Sequence, residues 1–283
     1  MSRASPSANK KVQSTAKKED VEAEERSAPS GAIVYKAVLK EGEGELERST
    51  SALFWSGLAA GLSMGFSLIA EGLLQSHLPD AQWRPLVSKF GYSAGFLIVI
   101  LGRQQLFTEN TLTPVLPLLQ HRTFAMLANV ARLWAVVLLA NLLGALAIAL
   151  TLAHTGVFSP DVLAVFSQIG VRAMEPEFGT LVLRGVFAGW LLALMVWLLP
   201  FAETARVLVI ILITYLVGIG EFSHIVAGSV EAFTVAAMGG TGWGAVVAGY
   251  LLPTLAGNIV GGVLLVAIIN HAQVTSGGDS PDL

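Results

Sequence analysis

Of the five histidines in this 283-residue chain, only His224 falls inside an apolar run, in Gly218-Ile219-Gly220-Glu221-Phe222-Ser223-His224. His77, His121, His154 and His271 fall near the ends of such runs or between them. An imidazole in an apolar setting can hold or hand over a proton near neutral pH, or offer a hydrogen bond to a small solute. A second polar cluster, Leu106-Phe107-Thr108-Glu109-Asn110-Thr111, interrupts another apolar run. Thr108 brings a hydroxyl there and Glu109 a carboxylate. Simpler readings stay open: His224 as a buried histidine satisfied by one hydrogen bond, and Thr108 as the cap of a half-helix. No nucleophile–base pair, phosphate loop or metal cluster accompanies these residues, so the sequence predicts no enzyme, no catalytic residue, no cofactor and no metal. The chain has no cysteine, which excludes disulfides and thiolate metal sites.

The elements that must position these side chains follow from composition. Hydrophobic residues make up 54% of the chain and charged residues 13%, about half the usual share for a soluble domain. Residues 1–48 hold nine of the 17 Lys and Arg and nine of the 20 Asp and Glu. The remainder carries too few charges to clothe a water-facing surface, whereas a bilayer-facing one needs none. There is no basic patch for nucleic acid. No apolar stretch precedes Ala52, so no signal peptide is expected.

The apolar runs predict an all-α membrane domain over 51–270 with six crossings of about 20 residues or more. They are Ala52–Leu74, Phe90–Leu119, Phe124–Ala153, Gly179–Leu199, Arg206–Met238 and Gly244–Ile269. Residues 1–50 are expected to form a charged, largely disordered tail, within which Lys36 to Arg48 is either a solvated tether or a short surface helix. Residues 271–283 are expected to form a short disordered tail. Small residues recur every fourth position at Gly57/Gly61/Gly65, Gly185/Gly189 and Gly257/Gly261, a spacing that lets helix backbones approach closely in lipid. The basic tail, Arg122 and Arg206 fall on one side, against Arg84, Lys89 and Arg172, which favours both termini in the cytoplasm.

Spans 2 and 5 are too long for one simple crossing, and each carries a polar interruption. Irregular backbone at membrane depth is tolerated only where protein or a watery cavity satisfies it, so both breaks are expected to face inward. Span 3 holds Asn141-Leu-Leu-Gly144 and span 6 holds Asn258-Ile-Val-Gly261. Thr108 precedes Asn141 by 33 residues and His224 precedes Asn258 by 34, which pairs Thr108 with His224 in two repeats. With three spans in each, the second copy is inverted, the architecture of channels and transporters. Half-helix ends meeting near the midplane would suit a small anion, and would also polarise a neutral solute.

Gly102-x-x-x-Leu106-Phe107-Thr108, Phe222-x-His224 and Gly257-Asn258-Ile259-Val260-Gly261-Gly262 together resemble the formate/nitrite transporter family, over roughly Ala52 to Ile269. The resemblance implies an aquaporin-like six-helix protomer, a homopentamer in a bacterial-type inner membrane, and one pore through each protomer for small monovalent anions such as formate, nitrite or hydrosulfide, often with a proton. It implies that Thr108 and His224 face the pore centre, that Leu106, Phe107 and Phe222 form its apolar constrictions, and that Asn258 is the polar residue of span 6 near the histidine. Ser223 stands where the family has Glu, and Glu221 lies before the Phe. Gly228-Ser229 replaces the family's Asn-Met, Gly189 a family Asn in span 4, and no Lys precedes span 4. Arg103, Glu109, Arg132 and Glu231 are added charges and, with Arg184 and Glu71, are expected chiefly in ion pairs between spans. An ionised Glu109 beside Thr108 would repel anions. It is therefore paired with an Arg, protonated, or the mark of a pore that no longer takes anions. The alternatives to an anion pore are a neutral-solute channel of the same fold and a non-conducting membrane scaffold or sensor.

Overall fold

The computed structural model describes residues 30–276, where the regular elements are helices. In chain order these are α1 (Gly31–Leu46), α2 (Thr50–His77), α3 (Arg84–Leu101), α4 (Val115–His121), α5 (Phe124–His154), α6 (Pro160–Met174), α7 (Phe178–Phe201), α8 (Arg206–Ile219), α9 (Ala227–Ala237) and α10 (Trp243–Ser276). Five of them, α2, α3, α5, α7 and α10, are long and apolar enough to cross a membrane. α8 and α9, at 14 and 11 residues, are each too short. They run in succession around a break at 220–226 and supply the remaining crossing. The chain is an integral membrane protein.

The expected glycine contacts form. A Cβ at Gly61 would sit 2.1 Å from the Asn141 carbonyl oxygen, and one at Gly257 would sit 2.2 Å from that of Val182. α2 therefore lies backbone to backbone on α5, and α10 likewise on α7. In lipid, where hydrophobic burial cannot drive helices together, such close packing holds the bundle.

Three segments differ from expectation. The stretch read as a tether or short surface helix from Lys36 is a 16-residue helix starting at Gly31. It buries Tyr35, Val38, Gly42 and Leu46 along one face, and a Cβ at Gly42 would collide with the Thr113 carbonyl. Residues 1–29 of the expected tail lie outside the described residues. At the other end, α10 continues through residues 271–276, where a tail was expected, and Tyr35 Oη hydrogen-bonds His271 Nδ1 at 2.8 Å; residues 277–283 lie outside the described residues. Between spans 3 and 4 lies α6, a helix that the apolar runs do not predict. It starts with Pro160 and Asp161 in its first turn and buries Phe166, Ile169 and Gly170.

The charges expected to pair do so in part. Lys89 Nζ lies 2.6 Å from Glu71 Oε1, joining α3 to α2, and Arg184 lies 3.3 Å from Glu221. Arg132 finds carbonyls instead. It donates to the Leu46 oxygen at 2.9 Å and the Arg48 oxygen at 3.2 Å, satisfying orphan groups at the C-terminus of α1.

Candidate pore site

Both breaks are built by the same backbone device. α3 ends at Leu101 and is capped by Gly102, after which Arg103 takes φ 50° and Gln104 N–H donates back to the Val99 carbonyl at 2.9 Å. α8 ends at Ile219 and is capped by Gly220, after which Glu221 takes φ 51° and Phe222 N–H donates to the Val217 carbonyl at 3.0 Å. This is a left-handed helix stop, made here with charged residues where glycine is usual. Arg103 then pairs with Glu41 at 3.1 Å, and Glu221 with Arg184.

Two asparagines pin the backbone beyond these stops. Asn141 Oδ1 accepts from Phe107 N–H at 2.9 Å, while its Nδ2 donates to the Gly57 and Gln105 carbonyls at 2.8 and 2.9 Å. Asn258 Oδ1 accepts from Ile225 N–H at 2.8 Å, while its Nδ2 donates to the Gly185 and Ser223 carbonyls at 2.9 and 2.8 Å. The matching of partners fixes the register of the repeat. Phe107 corresponds to Ile225, so His224 corresponds to Leu106 and Thr108 to Val226. The pairing of Thr108 with His224 as repeat equivalents is thus two residues off, because the repeat is anchored on backbone groups rather than on the polar side chains.

Thr108 and His224 meet all the same. Thr108 Oγ1 lies 2.8 Å from His224 Nε2, with both residues buried. The ring's other nitrogen, Nδ1, accepts from Ala227 N–H at 3.1 Å, which makes the imidazole the N-terminal cap of α9. A neutral ring accepting at Nδ1 carries its hydrogen on Nε2, which therefore donates to Thr108. The threonine hydroxyl keeps its own proton to offer. Phe96 meets the ring edge-on, with centroids 5.0 Å apart.

Two cavities approach this bond, one reaching His224 and the other reaching Gln105 and Glu109, while Thr108 itself lines neither. The one on the α1 side, cavity A, has a volume of about 530 Å³. Glu109 lines it, as do Glu41, Glu45, Arg103 and Gln105. Glu109 has no ion-pair partner among the described residues, since Arg103 is taken by Glu41. At the wall, Gln105 Nε2 donates to Glu45 Oε1 at 3.2 Å, Asn110 Nδ2 donates to Gln105 Oε1 at 3.0 Å, and Thr113 donates to Glu45 Oε2. Burial, reinforced by Glu41 and opposed by the Thr113 hydrogen bond, pushes the Glu45 carboxyl up to about 7. Cavity B, on the opposite side, is smaller, about 50 Å³, and reaches His224, Ser223 and Phe222. Glu71, Lys89, Glu231 and Tyr250 line it too.

Of the other sequence-predicted residues, Leu106 is fully buried and lines neither cavity. Phe222 stacks on Phe187 at 5.2 Å beside cavity B. Phe107 turns away to pack edge-on against Trp134, 5.7 Å between centroids, and lines neither cavity. Asn258 has its amide committed to backbone. Sequence reasoning missed Gln105, Glu45 and Tyr250, and used Lys89 only as a topology charge. The family's two missing asparagines have a steric reason. A Cβ at Gly189 would lie 2.2 Å from the Asn258 carbonyl oxygen, and one at Gly228 would lie 1.6 Å from Tyr250 Oη. Tyr250 occupies the space that a side chain at 228 would need.

A formate/nitrite transporter profile matches residues 32–272, nearly the whole described chain. The chain belongs to the formate/nitrite transporter family. It is 42% identical over 255 residues to the inner membrane protein YfdC of Escherichia coli (strain K12), covering 90% of this chain and 82% of that one. Among solved structures, a pentameric formate channel with formate bound superposes with a TM-score of 0.69 at 20% identity, covering 80% of this chain and 98% of that one. An FNT family ion channel superposes with a TM-score of 0.70 at 20% identity, covering 86% and 99%. As a formate/nitrite transporter family member the chain is a transport protein of aquaporin-like fold, not an enzyme.

Proposed function

We propose that the protein passes a small monovalent anion, as its neutral conjugate acid, through a pore centred on Thr108 and His224. The observation that carries this reading is the Thr108–His224 hydrogen bond at 2.8 Å, which joins the two helix breaks between two cavities. The threonine hydroxyl donates to the solute's oxygen while the imidazole, through Nε2–H, holds that hydroxyl in place. Phe96 packs edge-on against the imidazole, and Phe222 and the buried Leu106 lie two residues from His224 and Thr108, so the uncharged acid crosses at little desolvation cost where a hydrated ion would be stripped. Leu106 and Phe222 flank the site as the apolar gates, Ser223 adds a hydroxyl on the cavity B side, and Asn258 braces the second break without touching the solute. Family membership supports the substrate class, together with a homopentamer in a bacterial inner membrane, and the distribution of basic residues favours both termini in the cytoplasm. The exposed apolar faces, including Trp55 and Leu208, suit lipid and neighbouring protomers.

One observation favours a second reading. Glu109 faces cavity A without an ion-pair partner, and an ionised carboxylate there would repel an anion, which suits a channel for uncharged solutes. Stopped-flow pH-jump measurements on proteoliposomes separate the two. Formate, nitrite, acetate and hydrosulfide should each enter faster than in empty vesicles, increasingly so as pH falls, while an uncharged control does not. Entry of the uncharged control alone, independent of pH, would make this a neutral-solute channel.

A further inference from the structure

Cavity B contains a group that permeation past Thr108 and His224 does not by itself use. Glu231 is 8% exposed, lines the cavity, and has no hydrogen-bond or ion-pair partner among the described residues. It lies seven residues after His224; Gly228 and Glu231, three residues apart, share one face of α9, and Gly228 N–H donates to the His224 carbonyl at 2.9 Å, which ties the histidine to the start of that helix. The Tyr250 hydroxyl rests over Gly228, and Tyr250 lines the cavity together with His224 and Glu231.

The other groups facing Glu231 come from every neighbouring element. α2 brings Glu71, and α3 brings Lys89 and Tyr92. α6 brings Arg172, α7 Arg184, the end of α8 Glu221 and α10 Tyr250, whereas no titratable side chain of α5 lines the cavity. Their pairing leaves Glu231 out. Lys89 is bound to Glu71 at 2.6 Å and Arg184 to Glu221 at 3.3 Å, while Glu71 Oε2 is buried without a partner. The cavity thus joins cations that attract an anion to one buried carboxyl that forms no ion pair among the described residues.

Resting on the weak-acid reading, we propose that cavity B is a proton-loading site in which Glu231 protonates the arriving anion before it reaches Thr108 and His224. The O–H bond of the Glu231 carboxylic acid breaks and an O–H bond on the anion forms, with no change of oxidation state. The neutral acid moves on to the constriction. The Glu231 carboxylate takes a proton back from water in the cavity, so that one proton accompanies each anion. Lys89 and Arg172 draw the anion in, and Tyr250 holds a hydroxyl along the path to His224.

The test uses the full-length protein in proteoliposomes, with labelled formate, nitrite and acetate as the anions and an internal pH dye. Glu231→Gln should lose at least tenfold of the flux and of the coupled proton signal at pH 7.5. At pH 5.0, where bulk water delivers more of the neutral acid, it should recover to within about threefold of the unaltered protein. Glu231→Asp, which keeps a transferable proton, should retain at least a third of the flux at pH 7.5, and it is the variant to read if the glutamine form does not assemble. Equal loss at both pH values, no loss at either, or an aspartate variant as impaired as the glutamine one would overturn the proposal. An unaltered protein that moves none of the three anions would sink the underlying transport reading, and this one with it.

Discussion

Asn141 and Asn258 make the same three hydrogen bonds to the two helix breaks, each accepting one backbone N–H and donating to two backbone carbonyls. Each amide ties its break to a neighbouring span, Asn141 to α2 through Gly57 and Asn258 to α7 through Gly185. In a bilayer these polar groups have no water to fall back on.

Replacing either asparagine by alanine should therefore cost about 3 kcal/mol, from three lost bonds and the buried groups left unpaired. Asn141→Ala and Asn258→Ala should lower the detergent-solubilised melting temperature by similar amounts. Thermal unfolding followed by tryptophan fluorescence checks this, and a large effect at one position with none at the other would show that the two braces are not equivalent.

The contact between Gly228 and Tyr250 should be non-additive. A methyl at 228 would lie 1.6 Å from the tyrosine oxygen, far inside van der Waals contact, so Gly228→Ala alone forces a shift costing about 3 kcal/mol. In a Tyr250→Leu background the same change should cost under about 1 kcal/mol. A double-mutant cycle on thermal stability measures the difference.

The docking of α1 should weaken with rising pH. Glu45 has its carboxyl pushed from the ordinary 4.5 up to about 7, so the docked helix holds a proton that the undocked one releases. Docking is then strongest below pH 4.5, falls as pH rises toward 7, and levels off above it. The chain has no cysteine, so a spin label at Ile33→Cys reports on α1 alone. Its mobility should increase between pH 5 and pH 8, and Glu45→Gln should flatten the dependence.

Removing the charge of Glu109 discriminates between the permeant species. Between pH 5 and pH 8 any gain in formate flux on Glu109→Gln should grow with the ionised fraction of the carboxyl, while the flux of an uncharged solute stays unchanged. Proteoliposome uptake of both solutes by the two proteins decides it.

Most of the fold was legible because its signals are local. Six apolar runs exceed the membrane thickness, and the polar residues around Thr108 and His224 cannot sit in an unbroken lipid-facing helix. α6 escaped notice because 15 residues with one buried stripe match neither a span nor a tail. α1 was half-read because its acidic face hides the spacing of Tyr35, Val38, Gly42 and Leu46. The site was legible as a pair of residues and not as a geometry. Register two residues away from the polar ones, the turn of Phe107 toward Trp134, and Tyr250 filling the space over Gly228 all arise from contacts between distant segments.

The central claim is that permeation runs past the imidazole bonded to Thr108. His224→Phe keeps an aromatic ring while removing both the hydrogen bond to Thr108 and the cap on α9. Formate uptake into proteoliposomes, measured from pH 5 to pH 8 on a variant that elutes as the same oligomer, tests it most directly. The account predicts that flux or its pH dependence disappears; uptake unchanged across that range would contradict it.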